Sequence, residues 1–271
     1  MRACMIVLSA MLAGLSVPAW AATDTRITAD ELVAKNLEAR GGADKLRAIT
    51  SMHTLGKMRL GGGLEAKTET FAMAPGHFRQ ELSLQGLTAV QSWDGQQAWA
   101  INPFEGRRDP QKLSGDDTKD LVQSADIAGP LLDAQKKGER IEYLGTEDID
   151  GTDAHKLRVT YRNGDSRVIY LDPDQFLEIR VVDHRVVRGQ EQVQTTDLGE
   201  YEKVDGVYFP FEQGQNHIES AELNKPVDAA LFALLRASES PHGRVLDDAS
   251  RAGGVAAVGI EGQGAVGAGL G

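Results

Sequence analysis

Few residues in this chain are spaced for chemistry. Gly262-Gln-Gly264-Ala-Val-Gly267 has the spacing of a dinucleotide-binding turn and follows a strand-like run from Val255 to Ile260. Such a turn holds pyrophosphate only when a helix follows it inside a βαβ unit, and only Ala-Gly-Leu-Gly follows, so it reads as glycine repetition. Asp148, Asp150 and Asp153 around Gly151 repeat part of a calcium loop but lack its bidentate Glu. Asp150-Gly151 also has the composition of a hairpin turn. The histidines His53, His77, His155, His184, His217 and His242 contain no His-x-x-x-His pair for a zinc-binding helix. There is no Gly-x-Ser-x-Gly elbow and no phosphate loop, and Cys4, the one cysteine, lies ahead of the apolar run that begins at Met5. The paired carboxylates Asp116-Asp117 and Glu147-Asp148 fall at a helix start and a turn, where acids serve caps and dipoles. Nothing selects a pair for glycoside cleavage. The expectation is no catalytic residue, no cofactor and no metal.

The elements that could position a binding site are clearer. The 271 residues are 41% hydrophobic and 25% charged, enough for a sizeable core and too polar for a multi-span membrane protein. A net charge of -11 argues against a nucleic-acid phosphate track. Arg2, an apolar run from Met5 to Val17 and Ala19-Trp20-Ala21 have the layout of an export signal cleaved near Ala21. The expected division is residues 1–21 as signal, 22–240 as one domain, and 241–271 as a Gly/Ala-rich linker or disordered tail.

Thr28-Ala-Asp-Glu31 forms a capping box ahead of a helix over 28–40 with Leu32, Val33 and Leu37 on one face, stopped by Gly41-Gly42. A short turn over 43–46 follows. From Ser51 to about Gln215 the pattern is alternating short runs, with hairpin signals at Asp94-Gly95, Asp150-Gly151, Asn163-Gly164 and Asp205-Gly206. The meander breaks once, over about 114–137, where Ser114 and Pro130 can each start a short helix. A last short helix is expected over 228–236.

About ten strands covered by one long helix and two weakly apolar ones leave part of the dry sheet face without a helical layer, which makes room for an apolar ligand. The candidate cavity residues are Leu82, Trp93 and Trp99, then Leu157, Val159, Tyr161, Ile179 and Val181, with Leu121, Val122, Leu131 and Leu132 on the covering helices. Those helices are expected to add little to the core, so that Leu131→Glu would leave the fold intact.

The element order, with Ala39-Arg-Gly-Gly-Ala-Asp-Lys-Leu-Arg-Ala-Ile49 after the helix and Tyr201-Glu-Lys-Val-Asp-Gly-Val-Tyr-Phe-Pro210 near the end of the meander, resembles the LolA/LolB-like family of periplasmic outer-membrane lipoprotein-sorting proteins. The resemblance covers roughly residues 28–236. It implies an α+β, mainly β fold: a strongly curved antiparallel half-barrel around the N-terminal helix, with short lid helices over a cavity for acyl chains. It further implies a lid closed through a buried arginine, for which Arg59 and Arg79 are the candidates. The expected function is non-catalytic binding of a lipid or acylated protein by a periplasmic monomer, with a membrane-surface or outer-membrane partner compatible with it. The alternatives are an accessory or sensor domain that binds a protein or glycan on the outer sheet surface and, third, a hydrolase.

Overall fold

The computed structural model describes residues 27–234. The expected signal and cleavage site, the tail, the 262–267 glycine motif and the end of the last helix lie outside the described residues. Helix α1 (Ala29–Ala39) starts at the expected capping box: the Thr28 hydroxyl accepts from the Glu31 N–H at 3.2 Å, and the Glu31 carboxylate accepts from the Thr28 N–H at 2.8 Å. It ends at Gly41-Gly42, both with positive φ, and α2 (Ala43–Arg47) follows.

The rest is one antiparallel sheet of 13 strands that does not close into a barrel. Its first half is β1 (Ser51–Arg59), β2 (Glu65–Met73), β3 (His77–Leu84), β4 (Leu87–Trp93), β5 (Ala98–Asn102) and β6 (Arg107–Leu113). The second half is β7 (Arg140–Ile149), β8 (Thr152–Thr160), β9 (Ser166–Leu171), β10 (Glu178–Val187), β11 (Gln190–Val204), β12 (Val207–Gln213) and β13 (Asn216–Leu223). Each half is a meander, and β1 pairs with β13 to join them, so β6 and β7 are the two edges. The 114–139 connection therefore runs from one edge of the sheet to the other. It contains α3 (Lys119–Ser124) and α4 (Ala134–Lys137). Residues 115–124 touch both β4 and β10. Those strands are seven places apart, which would be about 34 Å along a flat sheet, so the sheet is strongly curled beneath this segment.

Asp150-Gly151 and Asp205-Gly206 take the paired positive φ of type I′ turns, and so do Gln85-Gly86 and Arg188-Gly189, which carry no such signal at their first position. At Asp94-Gly95 and Asn163-Gly164 only the glycine has positive φ. The second covering helix begins at Ala134 and not at Pro130, because Asp133 turns left-handed before it. Among the described residues the last element is a single 3-10 turn over Ala229–Leu231.

The two motifs behind the family resemblance meet in space. The Tyr208 N–H donates to the Arg40 carbonyl at 2.9 Å. A Cβ on Gly41 would come within 2.3 Å of the Gly206 carbonyl oxygen, so only glycine permits this approach. Leu46 and Ile49 then pack with Val207 and Phe209. The core is split into clusters along the concave face. Leu32 of α1 sits with Leu157, Val159, Ile169, Leu171 and Val181 in one, and Ala72, Phe78 and Ala98 build another.

The covering segment is part of this core, contrary to expectation. Leu131 inserts into the Leu32 cluster, Leu132 into the Leu46 cluster and Leu121 into the Phe78 cluster. Each leucine closes an end of a different cluster that the sheet leaves open. A buried charge at Leu131, only 2% exposed, would therefore be a folding defect.

Candidate ligand cavity

A cavity of about 910 Å³ lies between the covering segment and the inside of the curl, a size typical of small-ligand sites. Its apolar floor and roof come from Leu46 and Ile49 beyond α1, and from Val122, Ala125, Ile127 and Leu132 of the segment. Its far wall is polar, built by Tyr161, Arg162 and Arg167 at the β8–β9 turn and by Glu139 ahead of β7.

Of the sequence candidates, Val122, Leu132 and Tyr161 line this cavity. Leu121, Leu131, Leu157, Val159 and Val181 fill the core clusters beside it, and Trp93 packs against Phe78. Leu82 shares the Phe78 face of β3 by strand alternation, farther along the strand. Trp99 and Ile179 face the opposite side. Trp99 is fully buried there under the 229–234 segment, its indole N–H donating to the Phe232 carbonyl at 2.9 Å. Ile179 would share the Val181 face in an unbroken strand, but the register slips between Glu178 and Arg180. The extra residue turns Ile179 toward Ile149, Ala154 and Tyr170.

Neither arginine named from the sequence lies under the segment. Arg59 is exposed and donates to both Glu212 oxygens at 3.2 and 2.7 Å. Arg79 is buried, but on the Trp99 side, where it holds Glu81 and the Leu231 carbonyl. The buried arginine beneath the segment is Arg40, 7% exposed, which donates to the Ala128 carbonyl at 2.9 Å and lies over the Phe209 ring. Arg40 stands within the Ala39–Ile49 motif, and its place directly before two glycines at a helix end was the available signal. Ile127 has no periodic partner and carried none.

Ion pairs fasten the segment on both sides. At β10, Asp116 accepts from the Arg188 N–H at 2.7 Å, Lys119 donates to the Val186 carbonyl at 2.6 Å, and Arg185 pairs with Asp120 and donates to Gln123. The Arg188 N–H holds the Asp116 carboxyl below its ordinary pKa. On the α2 side Arg47 donates to both Asp133 oxygens, at 2.9 and 3.1 Å, and this guanidinium holds the Asp133 carboxyl down to about 2. Inside the cavity burial outweighs the neighbouring charges. It pushes the Tyr161 phenol up to about 12 and raises the Glu139 carboxyl above its usual range.

The remaining chemical candidates are accounted for locally. Asp148 caps the Gly151 N–H and Asp150 pairs with Arg180, so the acidic turn is a structured hairpin. On the outer face, Glu200, Glu212 and His217 bring ligand atoms within 4.8 Å of one another, but Arg59 already occupies the Glu212 carboxylate. Among the described residues no helix is long and apolar enough to cross a membrane.

In sequence, no family model and no curated protein matches the chain. In structure it is similar to a LolA superfamily protein from Nitrosomonas europaea, at 14% identity and a TM-score of 0.50, over 77% of this chain and 98% of that one. Similarity also extends to a DUF1329 family protein from Desulfovibrio piger (15% identity, TM-score 0.49, 76% and 97% covered). A putative outer membrane lipoprotein-sorting protein domain from Vibrio parahaemolyticus gives 12% identity and a TM-score of 0.46, with 75% and 95% covered. The fold is LolA-like: an open, curled, mainly β half-barrel around an N-terminal helix.

Proposed function

We propose that this protein is a non-catalytic carrier or binder of lipid or acylated polypeptide in the periplasm, with residues 1–21 as its export signal and 22–240 as its binding unit. The observation that carries the reading is the cavity of about 910 Å³ under a fastened covering segment, with an apolar floor and roof and a half-exposed Val122 facing into it. Acyl chains need only apolar contact, which these walls supply without a reactive group. The LolA-like fold supports the same reading. In this reading Val122, Leu132 and Tyr161 touch ligand, while Leu121, Leu131, Leu157, Val159 and Val181 hold the walls. Arg40 ties the middle of the covering segment down through the Ala128 carbonyl.

Native mass spectrometry of the full-length protein recovered from the periplasm, together with titration by a fluorescent fatty acid, tests this. A co-purifying lipid and saturable probe binding are expected. A ligand-free protein that ignores the probe would move the function to the outer sheet surface, toward a protein or glycan partner.

A further inference from the structure

The polar wall of the cavity carries two charges of opposite sign that the protein itself leaves uncommitted. The Glu139 Oε2 atom is sealed from solvent and has no hydrogen-bond partner. Arg162 lines the same wall at its solvent-exposed rim and makes no ion pair or side-chain hydrogen bond among the described residues, so its guanidinium is open to an incoming anion. Their neighbours are already paired: Arg167 donates to both Asp183 oxygens at 2.8 and 3.0 Å, and Lys137 to Asp126 and the Gly129 carbonyl at 2.5 and 2.9 Å. Gly138, at φ 74°, directly precedes Glu139 and lies against Arg162. A Cβ there would come within 2.1 Å of Arg162 Nε, so the glycine gives the guanidinium its place across the loop. The Gln123 Nε2 atom, on a residue that also lines the cavity, is a second sealed polar atom without a partner.

Buried polar atoms are nearly always satisfied, and a sealed carboxylate oxygen without a donor is costly. A ligand with only an anionic head would satisfy Arg162 and leave Glu139 facing a like charge. A quaternary ammonium brings charge without an N–H to donate. A primary ammonium beside a phosphate meets both groups. We propose that the cavity selects amphiphiles whose head group joins a primary amine to a phosphate, the amine on Glu139 and the phosphate on Arg162. This rests on the acyl-binding reading above. Burial raises the Glu139 carboxyl pKa, with Lys137, Asp126, Arg162 and Arg167 the charges around it, and a bound ammonium would offset that burial.

The test uses the full chain and displacement of a bound fluorescent fatty acid by short-chain diacyl phosphatidylethanolamine, phosphatidylcholine and phosphatidylglycerol with identical tails. Phosphatidylethanolamine should displace the probe at about tenfold lower concentration than the other two, as expected for one charge-assisted hydrogen bond gained. Glu139→Gln, nearly isosteric, should bring the ethanolamine and choline lipids to within about threefold of each other, and Arg162→Gln should weaken all three phosphate heads together. Equal displacement by the three lipids, or an amine preference that survives Glu139→Gln, overturns the head-group assignment while the bound probe keeps the acyl site standing. Absence of probe binding overturns both. Glycerophosphoethanolamine, which has the head but no chains, should not displace the probe. Displacement by it as strong as by the lipid would assign the site to a soluble compound and overturn the lipid assignment.

Discussion

Replacing Val122 by Asp separates ligand contact from core packing, because this side chain lines the cavity yet remains 45% exposed. Full burial of a valine contributes about 1.5–3 kcal/mol, so the portion still open to a ligand corresponds to about 0.7–1.4 kcal/mol, or about three- to tenfold in Kd. An aspartate, too short to reach water around an acyl chain, adds a desolvation penalty that takes the loss past about tenfold. The fold should tolerate the change, since Val122 joins no core cluster and valine and aspartate have nearly equal helix propensity. Val193→Asp is the matched control, an equally apolar and 57% exposed site on β11 away from the cavity. Titration with a fluorescent fatty acid, with thermal melts of all three proteins, reads both effects. Binding by Val122→Asp within about twofold of the wild type would refute the placement of the ligand beneath α3.

Leu131→Ala should destabilise the protein by about 2–5 kcal/mol in urea unfolding, as a nearly fully buried leucine does, and a loss below about 1 kcal/mol would remove the covering segment from the core. Thr28→Ala breaks the capping box and should cost about 0.5–2 kcal/mol, measured the same way. Because Arg47 holds the folded Asp133 carboxyl down to about 2, their contact contributes fully above about pH 4 and is lost as pH falls toward 2; amide protection at residues 125–133 should drop over that window before protection in α1 does, and parallel loss would refute the clasp. Glu139 has the opposite sign: its folded pKa is raised, so its ionisation costs stability as pH rises through that pKa, and Glu139→Gln should melt no lower than the wild type at pH 7.

What the sequence determined by itself is local. The capping box of α1 needs only residues three apart, and the type I′ turns at Asp150-Gly151 and Asp205-Gly206 need only two that accept positive φ. The alternation of Leu157, Val159 and Tyr161 marks one dry face because a strand repeats every two residues. What alternation cannot carry is which side of the sheet becomes concave, or what covers the other side. Trp99 and Val90 have the same pattern as the Phe78 face, and they became a separate cluster because the chain after β13 crosses the outer surface and seats Phe232 there. One slipped residue at Glu178 reversed Ile179, a change invisible without the pairing partner. Leu121, Leu131 and Leu132 read as a lid's greasy side, and only the curl of the sheet gave each a core cluster to close. Glu139 and Arg162 were unremarkable charges in the sequence, and Arg40 was marked only by its place before two glycines at a helix end. The Arg40 contact with Ala128 and the burial of Glu139 come from long-range neighbours, which exist only after the two meanders have joined at β1 and β13 and the connection between their far edges has been drawn across the mouth.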